Sequence, residues 1–164
     1  MLGVPPPGPP SEPALPPEAR LWRALAQGED AFDPYALIAH GEGALLPGTH
    51  DGAIEVWTEG ELAALHALDR FARRQDSAGL RERIASAVRW HLAEIQPDNA
   101  TNRPWAIHVF VRAGVVDGAI EALMHAQTML HNCRVSLGHA DRFSACLLED
   151  AARALEEDEG VRRG

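Results

Sequence analysis

Between Trp90 and His108 the chain sets two Trp, two His, two acids, two Asn, a Gln and an Arg around a turn bounded by Pro97 and Pro104. Connecting segments rich in hydrogen-bonding side chains are where binding and catalysis concentrate. Three chemistries fit these residue types. Glu94 with Asp98, or either acid with His91 or His108, supplies the two titratable groups of acid–base catalysis, provided their surroundings push the two pKa values apart. Trp90 and Trp105 offer apolar faces, and Asn99, Asn102 and Arg103 offer polar contacts, for a bound ligand. His91, Glu94 and His108, joined by His131, are donors of the kind that build metal sites inside helical bundles. The spacing matches no metal signature, however. There is no H-E-x-x-H, and His91 precedes Glu94 where the di-iron pattern puts Glu three residues before His. Neither a metal nor a cofactor is therefore expected. A fourth account needs no ligand: Asp98 and Asn99 as Asx-turn residues, Asn102 as a helix N-cap, and Arg103 paired with Glu94 or Asp98.

Helical periodicity places these groups in space. At 100° per residue His91 falls among Ile84, Val88 and Ile95, and Glu94 lies one turn on at the edge of that apolar stripe. If the next segment folds back, His91 and His108 lie at similar depths below the turn, roughly 7.5 and 6 Å. His131 shares a face with Ile120, Met124 and Gln127, whereas His125 falls on the polar side of the same helix. His40, His50 and His139 sit near glycines or helix stops and read as surface or capping residues.

The elements that must position the segment are helical. Pro17–Gln27 opens on Pro and stops at Gly28, and Asp33-Pro34 starts a short piece through Ala39. Thr58-Glu59-Gly60-Glu61 has the form of a capping box for a helix running to about Arg74. Asp76-Ser77 caps the next, from Gly79 to Gln96, whose stripe is Leu80, Ile84, Val88, Leu92 and Ile95. Pro104 to Arg112 is expected to be a short buried helix capped by Asn102. Asp117 then caps a helix to Val135, closed by Gly138, and Asp141 opens the last, through Glu157. Asp51-Gly52-Ala53-Ile54-Glu55 recurs as Asp117-Gly118-Ala119-Ile120-Glu121, and each copy is followed by Leu-His and then Asp-Arg-Phe, so residues 51–71 and 117–143 echo one another.

The chain has 164 residues, enough for one domain with a substantial core. Hydrophobic residues make up 46% but aromatics only 5%, so Ala, Leu, Val and Ile must fill the interior. The expected fold is all-α: five to six helices in antiparallel hairpins. The boundaries are a disordered Pro-rich arm over 1–17, which holds eight of the twelve prolines, a single helical domain over 18–158, and a frayed tail over 159–164. A net charge of −9 with scattered arginines argues against nucleic acid or an anionic membrane as partner. No apolar run approaches the roughly 20 residues of a membrane span, and Met1-Leu2-Gly3-Val4 does not open a signal peptide. Cys133 and Cys146 fit no zinc spacing and read as reduced thiols of a soluble, cytoplasmic, bacterial-type protein.

The succession of hairpins, the Trp57-Thr58-Glu59 entry and the Arg103-Pro104-Trp105-Ala106 helix start resemble α/α-toroid proteins over Trp57 to Leu155. That resemblance implies sites at helix-hairpin mouths and, in some members, carbohydrate-processing hydrolase or lyase activity. It transfers no catalytic residue. The function expected is a module binding a partner protein or small ligand in a cleft around residues 90–108, and homo-oligomerisation is left open. The alternative is a hydrolase or lyase acting on a polar, carbohydrate-like substrate through Glu94, Asp98 and a histidine.

Overall fold

A computed structural model describes residues 15–29, 31–46, 53–95, 102–137 and 141–163. Among them are six α-helices, α1 (Pro17–Gln27), α2 (Ile54–Arg74), α3 (Ala78–Glu94), α4 (Ile107–Val116), α5 (Ile120–Leu137) and α6 (Arg142–Arg163), with a single 3-10 turn at Pro34–Ala36 and no strand. The fold is all-α. The Pro-rich arm before residue 15, the Asp98 and Asn99 turn and the Gly138 stop lie outside the described residues.

α2 is the centre of the molecule. Every residue from Glu61 to Asp69 is buried, because Ala63, Ala64 and Ala67 fill the positions between the Leu62, Leu65 and Leu68 stripe. A helix apolar all round belongs in a core. α1 lies along one side of α2 and α3 along another, while α4 packs chiefly on α5 and α6. α1 ends as expected at Gly28, whose φ of 70° is the left-handed cap geometry that glycine adopts without strain. Ser77 caps α3, its Oγ accepting the Leu80 amide at 3.3 Å. At Asp141, Oδ2 accepts the Ser144 amide (3.0 Å) and hydroxyl (2.8 Å) at the start of α6.

Four local expectations are corrected. The Thr58–Glu61 sequence is not a helix start: α2 begins at Ile54, four residues earlier, and Thr58 and Glu61 are fully buried within it. Asn102 caps nothing. Ala106 precedes α4 in a left-handed conformation (φ 53°), and Asn102 lies exposed in a bend. Asp117 ends α4 instead of opening α5, which turns α5 to bury Ala122, His125, Ala126, Met129 and Cys133. The face carrying Ile120, Met124 and His131 points outward. Finally, residues 159–163 continue α6 as helix. In both members of the internal echo the Ile opens a helix, Ile54 in α2 and Ile120 in α5. The later matches fall in unlike places, since Asp69–Phe71 stay within α2 whereas Asp141–Phe143 start α6.

Candidate functional site

A buried central helix must satisfy the charged and titratable groups it carries, and besides Thr58 α2 buries three of these: Glu61, His66 and Asp69, none more than 2% exposed. Each is answered by a different neighbour. Glu61 and Arg83 hold the segment before α2 as a clamp. The Glu61 carboxylate accepts the amides of Leu45 (2.9 Å) and Leu46 (2.5 Å), and the Arg83 guanidinium donates to the carbonyls of Ala39 (3.2 Å), Gly43 (3.0 Å) and Ala44 (2.6 Å). One anion and one cation thus do for this irregular stretch what a helix or strand partner would otherwise do.

His66 accepts the Ala106 amide on Nδ1 (3.2 Å), which leaves its proton on Nε2 to be donated to Asp150 Oδ2 (2.9 Å). That bond, together with Arg70 at 2.9 Å, holds the Asp150 carboxyl below the usual carboxylate range. Asp69 is the most heavily used group. It accepts from His108 Nε2 (3.1 Å), from both terminal nitrogens of Arg112 (2.6 and 3.1 Å) and from Arg73 Nε (2.8 Å). Burial alone would raise its pKa, but the donors from His108 and Arg112 outweigh it and hold the carboxyl well below the usual range. Arg73 and Arg112 close a ring by both donating to Asp158 on α6, at 2.9 and 2.8 Å. Two acids and two guanidiniums therefore join α2, α4 and α6. Burial pushes His108 below the ordinary histidine value, with Asp69 pulling the other way.

The residues singled out by spacing are distributed differently. His91 and His108 are both inward, as their periodicity required, with no exposed surface. They do not share a partner. His91 Nε2 lies 3.7 Å from Glu61, outside hydrogen-bond range, and its ring packs edge-on to Phe110. His108 pairs with Asp69. Glu94 is exposed and joins neither. Trp90 meets Trp57 and His91 at 5.7 and 5.3 Å, whereas Trp105 lies against Trp22, His66 and Phe143 and donates to Glu59 (3.2 Å). The two indoles have different neighbours, so they form no common platform. Arg103 covers Phe143 and reaches Glu59 and Asp141, not Glu94. His131 is exposed, and His125, expected outside, is buried against Phe110 with its pKa lowered to about 4 by burial and by nearby His91. Among the described residues no three His, Cys, Asp or Glu side chains gather where they could hold a metal ion.

What the fold does provide is a cleft of about 400 Å³ between α3, α4 and the turn that leads into α5. Its walls are Ile84, Val88 and Leu92 from α3 and Val109, Ala113 and Val116 from α4. Its polar lining is Asp69, Arg112, Arg81, Arg89 and the exposed Asp117. Arg81 is paired with Asp76, whereas Arg89 is exposed and pairs with no carboxylate among the described residues. The α3 wall was legible as a helical stripe. Glu61, His66, Asp69, Arg83 and Arg112 were not singled out. The available signal was alanine at the positions between the α2 leucines, which marks a helix buried on every side and makes each acid or histidine on it a group that must be paired. No protein-family model, curated protein or solved structure matches the chain.

Proposed function

We propose that the protein is a binding module that seats a small ligand with an apolar body and an anionic head in the α3–α4 cleft. The observation that carries this reading is the pairing of apolar walls with an uncommitted guanidinium, Arg89, at a site of ligand size. The charge of Arg112 is committed to Asp69 and Asp158, so Arg89 is left to meet the head group. Catalysis has less to work with. His91 and His108 are sealed from solvent and Glu94 is exposed, paired with neither, so no exposed acid–base pair is assembled from them. The chain's charge of −9 disfavours nucleic acid as the ligand. The exposed free thiol of Cys146 suits a reducing, cytoplasmic setting.

Calorimetric titration with dodecanoate and with uncharged dodecanol tests the reading. Dodecanoate is expected to bind more tightly than the alcohol, by roughly tenfold if one charge-assisted contact is made. Arg89→Glu should erase that preference, and Ala85→Trp, which fills the cleft from an exposed position, should weaken both ligands. Equal binding to the Ala85→Trp variant, or no heat with either probe, would overturn the proposal.

A further inference from the structure

α5 carries two apolar faces, and among the described residues only one of them is covered. Inward go Ala122, Ala126, Met129 and Cys133, mostly small side chains. Outward go Ile120, Met124 and Val135, which are 59%, 62% and 64% exposed, with Gln127 and His131 completing the row. The steps of four, three, four and four residues make a continuous stripe along the helix. None of the five lines the cleft. A helix apolar on both sides is ordinarily covered on both sides.

We infer that this stripe is where a second copy of the chain docks, α5 against α5 in antiparallel. The first reason is its near symmetry on reversal. Pairing about Gln127 and Thr128 sets Ile120 opposite Val135 and Met124 opposite His131, so both copies offer the same surface, as a two-fold interface requires. Charge is the second. Over eighteen residues α5 bears only Glu121 and Arg134 as fixed charges, whereas the whole chain carries −9. Two copies therefore meet on a surface where little of their mutual repulsion is concentrated. Area is the third. With Leu130 at its edge the stripe offers roughly 600 Å² per copy, the lower end of what a stable dimer buries.

Sedimentation velocity of the full chain from about 2 to 200 µM tests this. A reversible monomer–dimer equilibrium is expected, weakened by more than tenfold in Met124→Glu, with the helical circular dichroism unchanged because Met124 is exposed. A second measurement does not depend on that variant. In a Cys146→Ser background, Gln127→Cys should oxidise to a disulfide-linked dimer across the two-fold axis, whereas Glu149→Cys on exposed α6 should not. A monomer throughout the concentration range, a dimer indifferent to Met124→Glu, or equal cross-linking at both cysteine positions would each overturn the inference. Ligand binding in the cleft is read separately, so either proposal can fail alone.

Discussion

Asp69 and Glu61 show how a single buried carboxylate organises its surroundings. Asp69 accepts hydrogen bonds from a histidine and two guanidiniums while less than a twentieth of it is exposed. Asp69→Asn would leave His108 and Arg112 facing a neutral amide whose NH2 has no acceptor among them. Removing one member of a buried charged set destabilises by about 3–5 kcal/mol. The lower figure is expected here, because Arg73 and Arg112 keep Asp158. Urea unfolding reads this directly, and a loss under 1 kcal/mol would show the ring to be ornamental. Glu61→Gln replaces one of two acceptor oxygens with a donor aimed at an amide. A loss of about 1–3 kcal/mol is expected, with hydrogen exchange at Leu45 and Leu46 accelerated beyond the rest of the chain. Uniform acceleration across the protein would argue instead that the clamp has no local task.

At the scale of elements, the α4–α5 hairpin depends on how closely two helices approach. A Cβ built on Gly114 would lie 2.3 Å from Leu123 Cγ and 3.2 Å from the Leu123 backbone nitrogen. Gly114→Ala is therefore expected to destabilise by about 1–3 kcal/mol despite alanine's better helix propensity. Leu123→Ala in the same chain should restore part of that loss, since the nearest obstacle is its side chain, and a double-mutant cycle measures the coupling. Additive effects would mean that the helices do not meet as described. The same hairpin explains the reversed facing of α5. Asp117-Gly118-Ala119 has the composition of a helix start, and Asp117 instead closes α4 with φ −94° while Gly118 takes φ 71° to make the turn. Which of two apolar faces goes inward is then decided by the turn and by the fit of Ala122 and Ala126 against their neighbours, not by the size of the side chains on either face.

For the molecule as a whole, acid is the predicted weakness. His125 titrates at about 4 when folded against 6.5 ordinarily, so the unfolded chain takes up its proton first as the pH falls. Stability present above pH 6.5 is lost between there and about 4, by about 3 kcal/mol from this group, and burial of His108 acts in the same direction. Asp69, Asp150 and Asp158, all held below the ordinary 3.8, add a second loss as the pH falls further, once the unfolded carboxylates protonate before the folded ones. Urea midpoints should thus decline from pH 7 to 4.5, and His125→Leu should flatten that decline. A wild-type profile flat over this range would contradict the burial of His125. By itself the sequence determined the all-helical class, the bounds of α1, the Ser77 cap, and the inward facing of His91, His108 and the α3 stripe. These follow from local propensity and from a 3.6-residue period that any single helix displays. The tertiary structure alone decided that His91 packs against Phe110 while His108 pairs with Asp69, that α2 is the central helix, and that α5 turns its bulkier face outward. Periodicity reports which residues share a face, but not which neighbour that face meets, and a pairing across 39 residues is made only when two helices pack.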